Sequence, residues 1–430
     1  MPHPAQQNDL RLPQKLVLEK VKNKDPAHRF GSPDDRQPEQ MILVLDPETG
    51  KTWGFVVVDN TRRGPGLGGI RVAPDLTLME VRRLAHAMTL KNSAALLPFG
   101  GGKSGLIVDP VNLNTQPGMK RDLIGLFAEA LFEIDSYITA PDMGTDEKVI
   151  QQIYEIYSER LNTPHHLRGG AGRPPINGGI PIDHWGLTAH GVVAAIKTVE
   201  AMDATFTLKG ARVVIQGYGN VGAPTASKLQ QAGALIVGAS DIHQALWHSS
   251  GLDVSELNRA RSGPQGLAKY SGTTEKSFPP QNLDWLLEAP CDILIPAARP
   301  DAITARNADR IQCRMVFQGA NAPSNKMTEY YLQNHRGIIS YSDFIVNVGG
   351  VMGCAVELKM NIDSEYKNKV LATGEEGRPY LENLISKTIS NNVKTIYQGM
   401  AQGDGSDAIF RDEALKLAEE CLANPRRIQL

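Results

Sequence analysis

Ala211-Arg-Val-Val-Ile-Gln216 runs directly into Gly217-Tyr218-Gly219-Asn220-Val221-Gly222, and residues 220–232 then carry a helical pattern. A G-x-G-x-x-G run alone is a weak signal. Here a β-rich run precedes it, a helix follows, and a second run, Leu235 to Ser240, ends at Asp241, 24 residues after Gly217. Each glycine answers a separate physical need. Gly217 permits the tight turn, Gly219 the close approach of a pyrophosphate to the backbone, and Gly222 the helix–strand packing. The phosphates would sit on the unpaired N–H groups and positive dipole end of the helix. Asp241 is expected to accept hydrogen bonds from the adenosine ribose. Its charge would repel a 2′-phosphate, which favours NAD over NADP. The plainer alternative is a glycine turn followed by an unrelated strand-end aspartate.

Around this unit, helices alternate with short apolar strands. A helix over 186–202 precedes it, and strands are expected at 292–296, 315–318 and 337–340. Such alternation predicts a doubly wound parallel sheet. Upstream, Met41–Leu45 and Trp53–Asp59 flank a Pro/Gly turn and read as a hairpin. Residues 77–97 form an amphipathic helix that Thr77 can cap. Gly100 to Gly105 reads as a glycine loop leading into a strand at 106–108, with further helices near 120–134 and 145–160. Residues 162–185 show no periodicity and are expected to be a hinge or an active-site border.

The expected fold class is α/β. It comprises an N-terminal arm (1–38), an α/β substrate-binding and oligomerisation domain (39–185), a Rossmann domain (186–355) and a helical segment (356–430) returning to the first domain.

Composition narrows the functional classes. The 430 residues carry a net charge of −2, which argues against a broad nucleic-acid-binding surface. No apolar run approaches the roughly 18–20 residues of a membrane span, and the N-terminus lacks an apolar signal core. A cytoplasmic location is therefore expected, with no membrane partner. Cys291, Cys313, Cys354 and Cys421 fit no zinc spacing, and His165, His166, His184 and His190 lack a metalloprotease pattern, so no metal is expected.

Gly102-Lys103-Ser104 resembles the end of a Walker A loop, but that motif needs glycine where Leu97 stands. What remains is a pair of lysines. Lys91 lies on or near the apolar face of its helix and either snorkels or binds a carboxylate. Lys103 follows three glycines. A desolvated lysine near another cation has a lowered pKa and can act as a base. Asp142, in Ala140-Pro-Asp-Met-Gly-Thr145, reads either as a helix cap or as a chemical group.

Several further runs carry a resemblance: Gly64-Pro-Gly-Leu67-Gly68-Gly69-Ile-Arg71, Met88-Thr-Leu-Lys91, Gly100-Gly-Gly-Lys103, Thr188-Ala-His-Gly191, Gly319-Ala-Asn321 and Asn347-Val-Gly-Gly-Val351. With Ala140–Thr145 and the glycine turn, they resemble the glutamate/leucine/phenylalanine/valine dehydrogenase superfamily over about residues 39–360. The resemblance implies a two-domain enzyme with an interdomain cleft. Its reaction is reversible oxidative deamination of an L-amino acid to a 2-oxo acid and ammonia with NAD. A homo-oligomer, hexamer or octamer, is implied.

By motif, Lys91 would hold the substrate α-carboxylate, Lys103 would activate water and Asp142 would carry protons to and from the amino group. Gly68 and Gly69 would admit the substrate. Thr188, Ala297, Asn321 and Asn347 would line the nicotinamide site, and Gly217 to Gly222, Tyr218, Asn220 and Val221 included, would hold the cofactor. Glutamate dehydrogenases typically carry Lys where this chain has Leu67, and Ser where it has Cys354. Leu67, Ala140, Val351 and Cys354 are therefore expected to line an apolar, leucine-like side-chain pocket. The alternatives are a glutamate dehydrogenase with an altered pocket and a nucleotide-binding homologue without catalysis.

Overall fold

The computed structural model describes residues 11–21, 37–115, 118–402 and 408–430. The chain divides into two compact units. The first holds the described residues up to Thr89, Phe99–Ile180 and Met360–Ile362; the second holds Leu90–Pro98, Pro181–Lys359 and Asp363–Leu430.

The first unit is built on strands β1 (Val17–Lys20), β2 (Gln40–Leu45), β3 (Thr52–Asn60) and β4 (Gly66–Val72). Helix α1 (Leu78–Ala94), strand β5 (Gly100–Leu106), helices α2 (Pro110–Thr115) and α3 (Met119–Leu131), strand β6 (Tyr137–Pro141) and helix α4 (Glu147–Leu161) follow. The sheet order is β1-β2-β3-β5-β4-β6, with β4 parallel to both β5 and β6. Strand alternation sorts the side chains onto two faces. Ile42, Val44, Val56 and Val58 join Leu123, Phe127, Ile150 and Ile153 of α3 and α4 in one core, while Met41 and Val57 pack with Val81 and Ala85 of α1 in another.

Two expectations change here. Residues 17–20 of the expected arm form an edge strand on β2; residues 1–10 and 22–36 lie outside the described residues. Gly100–Leu106 is a strand rather than a loop. Glycine ordinarily weakens a strand, but a Cβ on Gly101 would lie 2.3 Å from the Thr89 backbone nitrogen. The missing side chains let α1 lie directly on the sheet. Thr77 caps α1 as expected, its Oγ1 accepting the Glu80 N–H at 3.2 Å. Asp146 caps α4 by accepting the Val149 N–H at 3.0 Å.

The loop after α4 is held by His166. Its ring stacks on Tyr154 at 4.5 Å, Nε2 lies 3.0 Å from Ser158 Oγ and Nδ1 accepts the Gly169 N–H at 3.3 Å. Burial first, then the Arg173 charge, lowers its pKa to about 4. A histidine held neutral in the fold and free to protonate when unfolded makes the unfolded state bind more protons between its two pKa values. Stability contributed by His166 is therefore full above about pH 6.5 and is lost as pH falls towards about 4. Thermal melting across that window should show this slope in the native chain and a shallower one in His166→Asn. Equal slopes would remove His166 as the cause.

The second unit contains α5 (Leu187–Met202), β7 (Arg212–Gln216), α6 (Gly222–Gln231), β8 (Leu235–Ser240), β9 (Ala245–Trp247), α7 (Val254–Arg261), β10 (Lys276–Phe278), β11 (Ile293–Pro296) and β12 (Met315–Phe317). Then come α8 (Lys326–Arg336), β13 (Ile339–Tyr341), α9 (Asp343–Val346), α10 (Gly349–Ile362), α11 (Ser364–Leu371), α12 (Arg378–Gln402) and α13 (Phe410–Ala423). The order is β10-β9-β8-β7-β11-β12-β13. Strands β8, β7, β11, β12 and β13 are parallel, and β9 and β10 add an antiparallel edge. This is the expected doubly wound sheet with a reversed margin.

Residues 363–430 group with the second unit, and only Met360–Ile362 group with the first. Helix α12 lies along α5 and buries Leu381, Ile385, Ile389, Val393 and Ile396, one stripe at helical spacing. The exception at 360–362 is explained by Asn361, whose Nδ2 donates to Tyr154 Oη at 2.7 Å and to the His166 carbonyl at 3.0 Å.

Candidate active site

In the first unit, strand register gathers the candidates. Leu67, Gly69 and Arg71 of β4 are on the sheet face that carries Lys103 of β5 and Ala140 of β6, because paired residues share a face. Lys103 pairs across the sheet with Val57, which places it on the α1 side. Its Nζ lies 2.7 Å from Asp142 Oδ2, just beyond the end of β6. Arg71 Nε reaches the same oxygen at 3.0 Å, and Arg71 Nη1 reaches Glu80 Oε1 at 2.6 Å.

The four charges are coupled. Burial lowers the Lys103 pKa, and the adjacent Asp142 only partly restores it. Burial would raise Asp142, but Lys103 and Arg71 outweigh it and hold the carboxyl well below its ordinary range. Asp142 is therefore a fixed carboxylate at neutral pH, beside a lysine that releases its proton more readily than an exposed one. The Asp142 N–H donates to Thr145 Oγ1 at 2.8 Å, and that hydroxyl donates to the Ile70 carbonyl at 2.8 Å, so the loop is tied to β4.

Gly68 and Gly69 serve packing in this arrangement. A Cβ on Gly69 would lie 2.7 Å from Asp142 Cβ, and one on Gly68 would lie 1.8 Å from the Gly102 carbonyl oxygen. Leu67 is fully buried. Arg71 and Glu80 received no role from sequence. The available signal was Arg71 standing between Ile70 and Val72 in an apolar run.

In the second unit, the glycine turn sits at the C-terminal end of β7, where the sheet order reverses between β7–β8 and β7–β11. That is the switch point at which such sheets bind ligands. Gly217 has φ +94°, and a Cβ on Gly222 would lie 2.0 Å from the Gly217 carbonyl oxygen. A Cβ on Gly219 would meet nothing within 4 Å. Ala297 follows β11 beside this turn, its N–H donating to the Gln216 carbonyl at 2.7 Å.

Three of the expected cofactor residues also make hydrogen bonds within the protein. The Tyr218 ring is buried, with its hydroxyl 3.1 Å from Asn258 Oδ1, so only its backbone faces the turn. Asn220 is bound on both sides, by Asp183 at 2.8 Å and Arg261 at 2.7 Å. Asp241 accepts backbone N–H groups from His243 at 2.8 Å, Gln244 at 2.9 Å and Leu267 at 2.7 Å. Its carboxylate thus organises the loop after β8.

Asn321, Asn347 and Lys91 come together in this unit. Lys91 Nζ donates to Asn321 Oδ1 at 2.5 Å, and Asn347 Nδ2 donates to the Ala320 carbonyl at 3.1 Å. Asn347 Oδ1 is buried and accepts no hydrogen bond among the described residues. An orphaned buried acceptor costs stability unless a donor arrives. A carboxamide N–H would satisfy it, so the residues fit a nicotinamide nucleotide. Thr188 lies in the first turn of α5, and a Cβ on Gly350 would lie 2.8 Å from its Oγ1, which brings α10 close to α5. Val351 and Cys354 follow on α10. Burial raises the Cys354 thiol far above its ordinary pKa, so it is neutral.

The two units define a class: a protein with a Rossmann-type unit fit for a dinucleotide and a second α/β unit carrying a buried lysine–carboxylate pair. Comparison with known proteins makes this specific. Residues 178–424 match the Glutamate/Leucine/Phenylalanine/Valine dehydrogenase family, and residues 38–159 match the Glu/Leu/Phe/Val dehydrogenase dimerisation domain. The chain belongs to this family of amino-acid dehydrogenases.

Among its relatives, the NADP-specific glutamate dehydrogenase of Saccharolobus shibatae is 32% identical over 84% of this chain and 83% of its own. The catabolic NAD-specific glutamate dehydrogenase RocG of Bacillus subtilis is 31% identical over 88% of each. The crystal structure of hetero-hexameric glutamate dehydrogenase from Thermus thermophilus, in its Leu-bound form, aligns over 96% of this chain and 89% of that chain. Its TM-score is 0.74 at 26% identity. Among the described residues, no helix is long and apolar enough to cross a membrane.

Proposed function

We propose that the chain catalyses reversible oxidative deamination of an L-amino acid with a nicotinamide nucleotide, and that glutamate is the substrate its relatives best support. The observation carrying this reading is the buried Lys103–Asp142 pair at 2.7 Å, whose retention also argues against a homologue without catalysis.

A bound nicotinamide supplies the acceptor for the hydride that leaves the substrate Cα. The chain supplies the rest. Lys103, as the free base, takes a proton from the water that attacks the resulting imine carbon. Asp142 exchanges a proton with the substrate nitrogen so that it leaves as ammonia. Lys91 holds the α-carboxylate as an ammonium donor. Gly219 and the first N–H groups of α6 hold the pyrophosphate, and Thr188, Ala297, Asn321 and Asn347 orient the nicotinamide. NAD is favoured over NADP because Asp241 keeps a carboxylate at the end of β8. Assembly into a homo-oligomer through residues 38–159 accords with the matched dimerisation domain.

A second reading has its own support. Leu67 and Cys354, uncharged and buried, offer no cation to a γ-carboxylate, and such a charge is costly to bury unpaired. That favours a leucine-like side chain. Steady-state kcat/KM for glutamate, leucine, valine and phenylalanine, with NAD and NADP, separates the two. Glutamate with NAD is expected to lead by tenfold or more, which corresponds to about 1.4 kcal/mol. A lead for leucine establishes the second reading, and a lead for NADP removes the role given to Asp241.

A further inference from the structure

The two oxygens of Asp142 have different surroundings. Oδ2 takes both Lys103 Nζ, at 2.7 Å, and Arg71 Nε, at 3.0 Å, whereas Oδ1 is hydrogen-bonded to no described residue. Arg71 is itself fixed. It is buried, and its Nη1 lies 2.6 Å from Glu80 Oε1 in the first turn of α1, with the Glu80 side chain 29% exposed. A guanidinium can bridge two carboxylates through separate N–H groups in one plane; an ammonium on a flexible stem cannot reproduce that fork.

We propose that Arg71, held from α1 by Glu80, is a positioning residue: it anchors Asp142 through Oδ2 beside Lys103 and leaves Oδ1 as the oxygen that exchanges a proton with the substrate nitrogen. The proposal rests on the amino-acid dehydrogenase reading and adds to it an oxygen assignment and two residues.

The charges facing Lys103 give it a distinctive signature. They are Asp142 after β6, Arg71 on β4 and Glu80 on α1. Strand β3 presents Val57 opposite Lys103, and its Asp59 is taken up by Thr89 at 2.5 Å and His86 at 3.3 Å. Tyr137 on β6 donates to the Gly68 carbonyl at 2.8 Å, and burial pushes its phenol above the ordinary range, so it is neutral. Arg71 lowers the Lys103 pKa and Glu80 raises it. Loss of either charge therefore moves Lys103 in opposite directions.

The test is the pH profile of kcat/KM for deamination in the full chain. The acid limb reports the free-base form of Lys103. In Arg71→Gln it should move to higher pH, and in Glu80→Gln to lower pH, each by about one unit. Arg71→Lys should return the limb close to its native position while kcat stays at least several-fold low, because the charge is restored and the bridge is not. A purely structural role would lower melting temperature and leave the limbs in place. Limbs that stay, or that move the same way in both Gln variants, overturn the proposal. If Arg71→Gln does not fold, Glu80→Gln decides by itself, since Glu80 is partly exposed.

A native chain inactive on every amino acid would refute the dehydrogenase reading separately. The anchor is then read without turnover, by competitive labelling of Lys103 with acetic anhydride across pH. The same opposite shifts are expected there, and their absence overturns the anchor.

Discussion

Lys103→Ala should reduce kcat for amino-acid deamination by about a thousandfold or more, within or beyond the range by which general acid–base groups accelerate reactions. The chain should still fold. Three facts lead to this outcome. Lys103 Nζ lies 2.7 Å from Asp142 Oδ2, and its side chain is only 5% exposed. Burial lowers its pKa, so a usable fraction of free base is present at lower pH than for an exposed lysine. And Asp142 keeps a cation when Lys103 is lost, because Arg71 Nε remains 3.0 Å from the same oxygen. Breaking a buried ion pair usually costs about 3–5 kcal/mol because a charge is stranded; here the stranded charge is shared, so the melting temperature should fall by much less than that penalty implies.

Lys103→Arg sharpens the test. Arginine keeps the positive charge but does not deprotonate under these conditions. If Lys103 is a base, Lys103→Arg is nearly as inactive as Lys103→Ala; if it supplies charge alone, Lys103→Arg stays within about tenfold of native activity. Near-native kcat in Lys103→Ala would remove Lys103 from the chemistry.

The readable parts of the chain were those whose physics is local. Strand β7, the turn at Gly217, helix α6 and strand β8 follow one another with short spacing, and each announces itself through apolar runs or glycine. Helix α1 was visible through its repeat and through Thr77. The hidden parts depend on distant partners. Glycines in β4 and β5 look like loop residues until a helix and a neighbouring strand occupy the space their side chains would need. Arg71 meets Asp142 across 71 positions of sequence, a separation no local pattern reports. The apolar stripe of α12 shows that it must be covered without saying that α5 covers it. Tyr218 shows the converse: a residue inside a glycine motif can place its ring in the core, here beside Asn258.

The glycine turn itself yields the second large effect, because its three glycines answer to different constraints. Gly222→Val should abolish soluble folded protein or lower the stability of the second unit by about 3 kcal/mol or more. Its Cβ would be forced to 2.0 Å from the Gly217 carbonyl oxygen, and Gly217, at φ +94°, is itself held in a conformation that side-chain-bearing residues rarely adopt. No rotamer relieves that contact, since the clash begins at Cβ and its partner is backbone. Gly219→Ala is the matched control. A Cβ there meets nothing within 4 Å, so folding and melting temperature should be native. That same open space is what a pyrophosphate would need to reach the N–H groups at the start of α6. Gly219→Ala should therefore weaken nicotinamide-nucleotide binding by on the order of tenfold, about 1.4 kcal/mol, as measured by calorimetric titration with NADH. Native affinity in Gly219→Ala would show that the open space does not receive the cofactor, whereas loss of folding in that variant would contradict the geometry of the turn. Only the combination of an unfolded Gly222→Val and a folded, weakly binding Gly219→Ala agrees with a turn in which one glycine makes room for the protein and another makes room for its ligand.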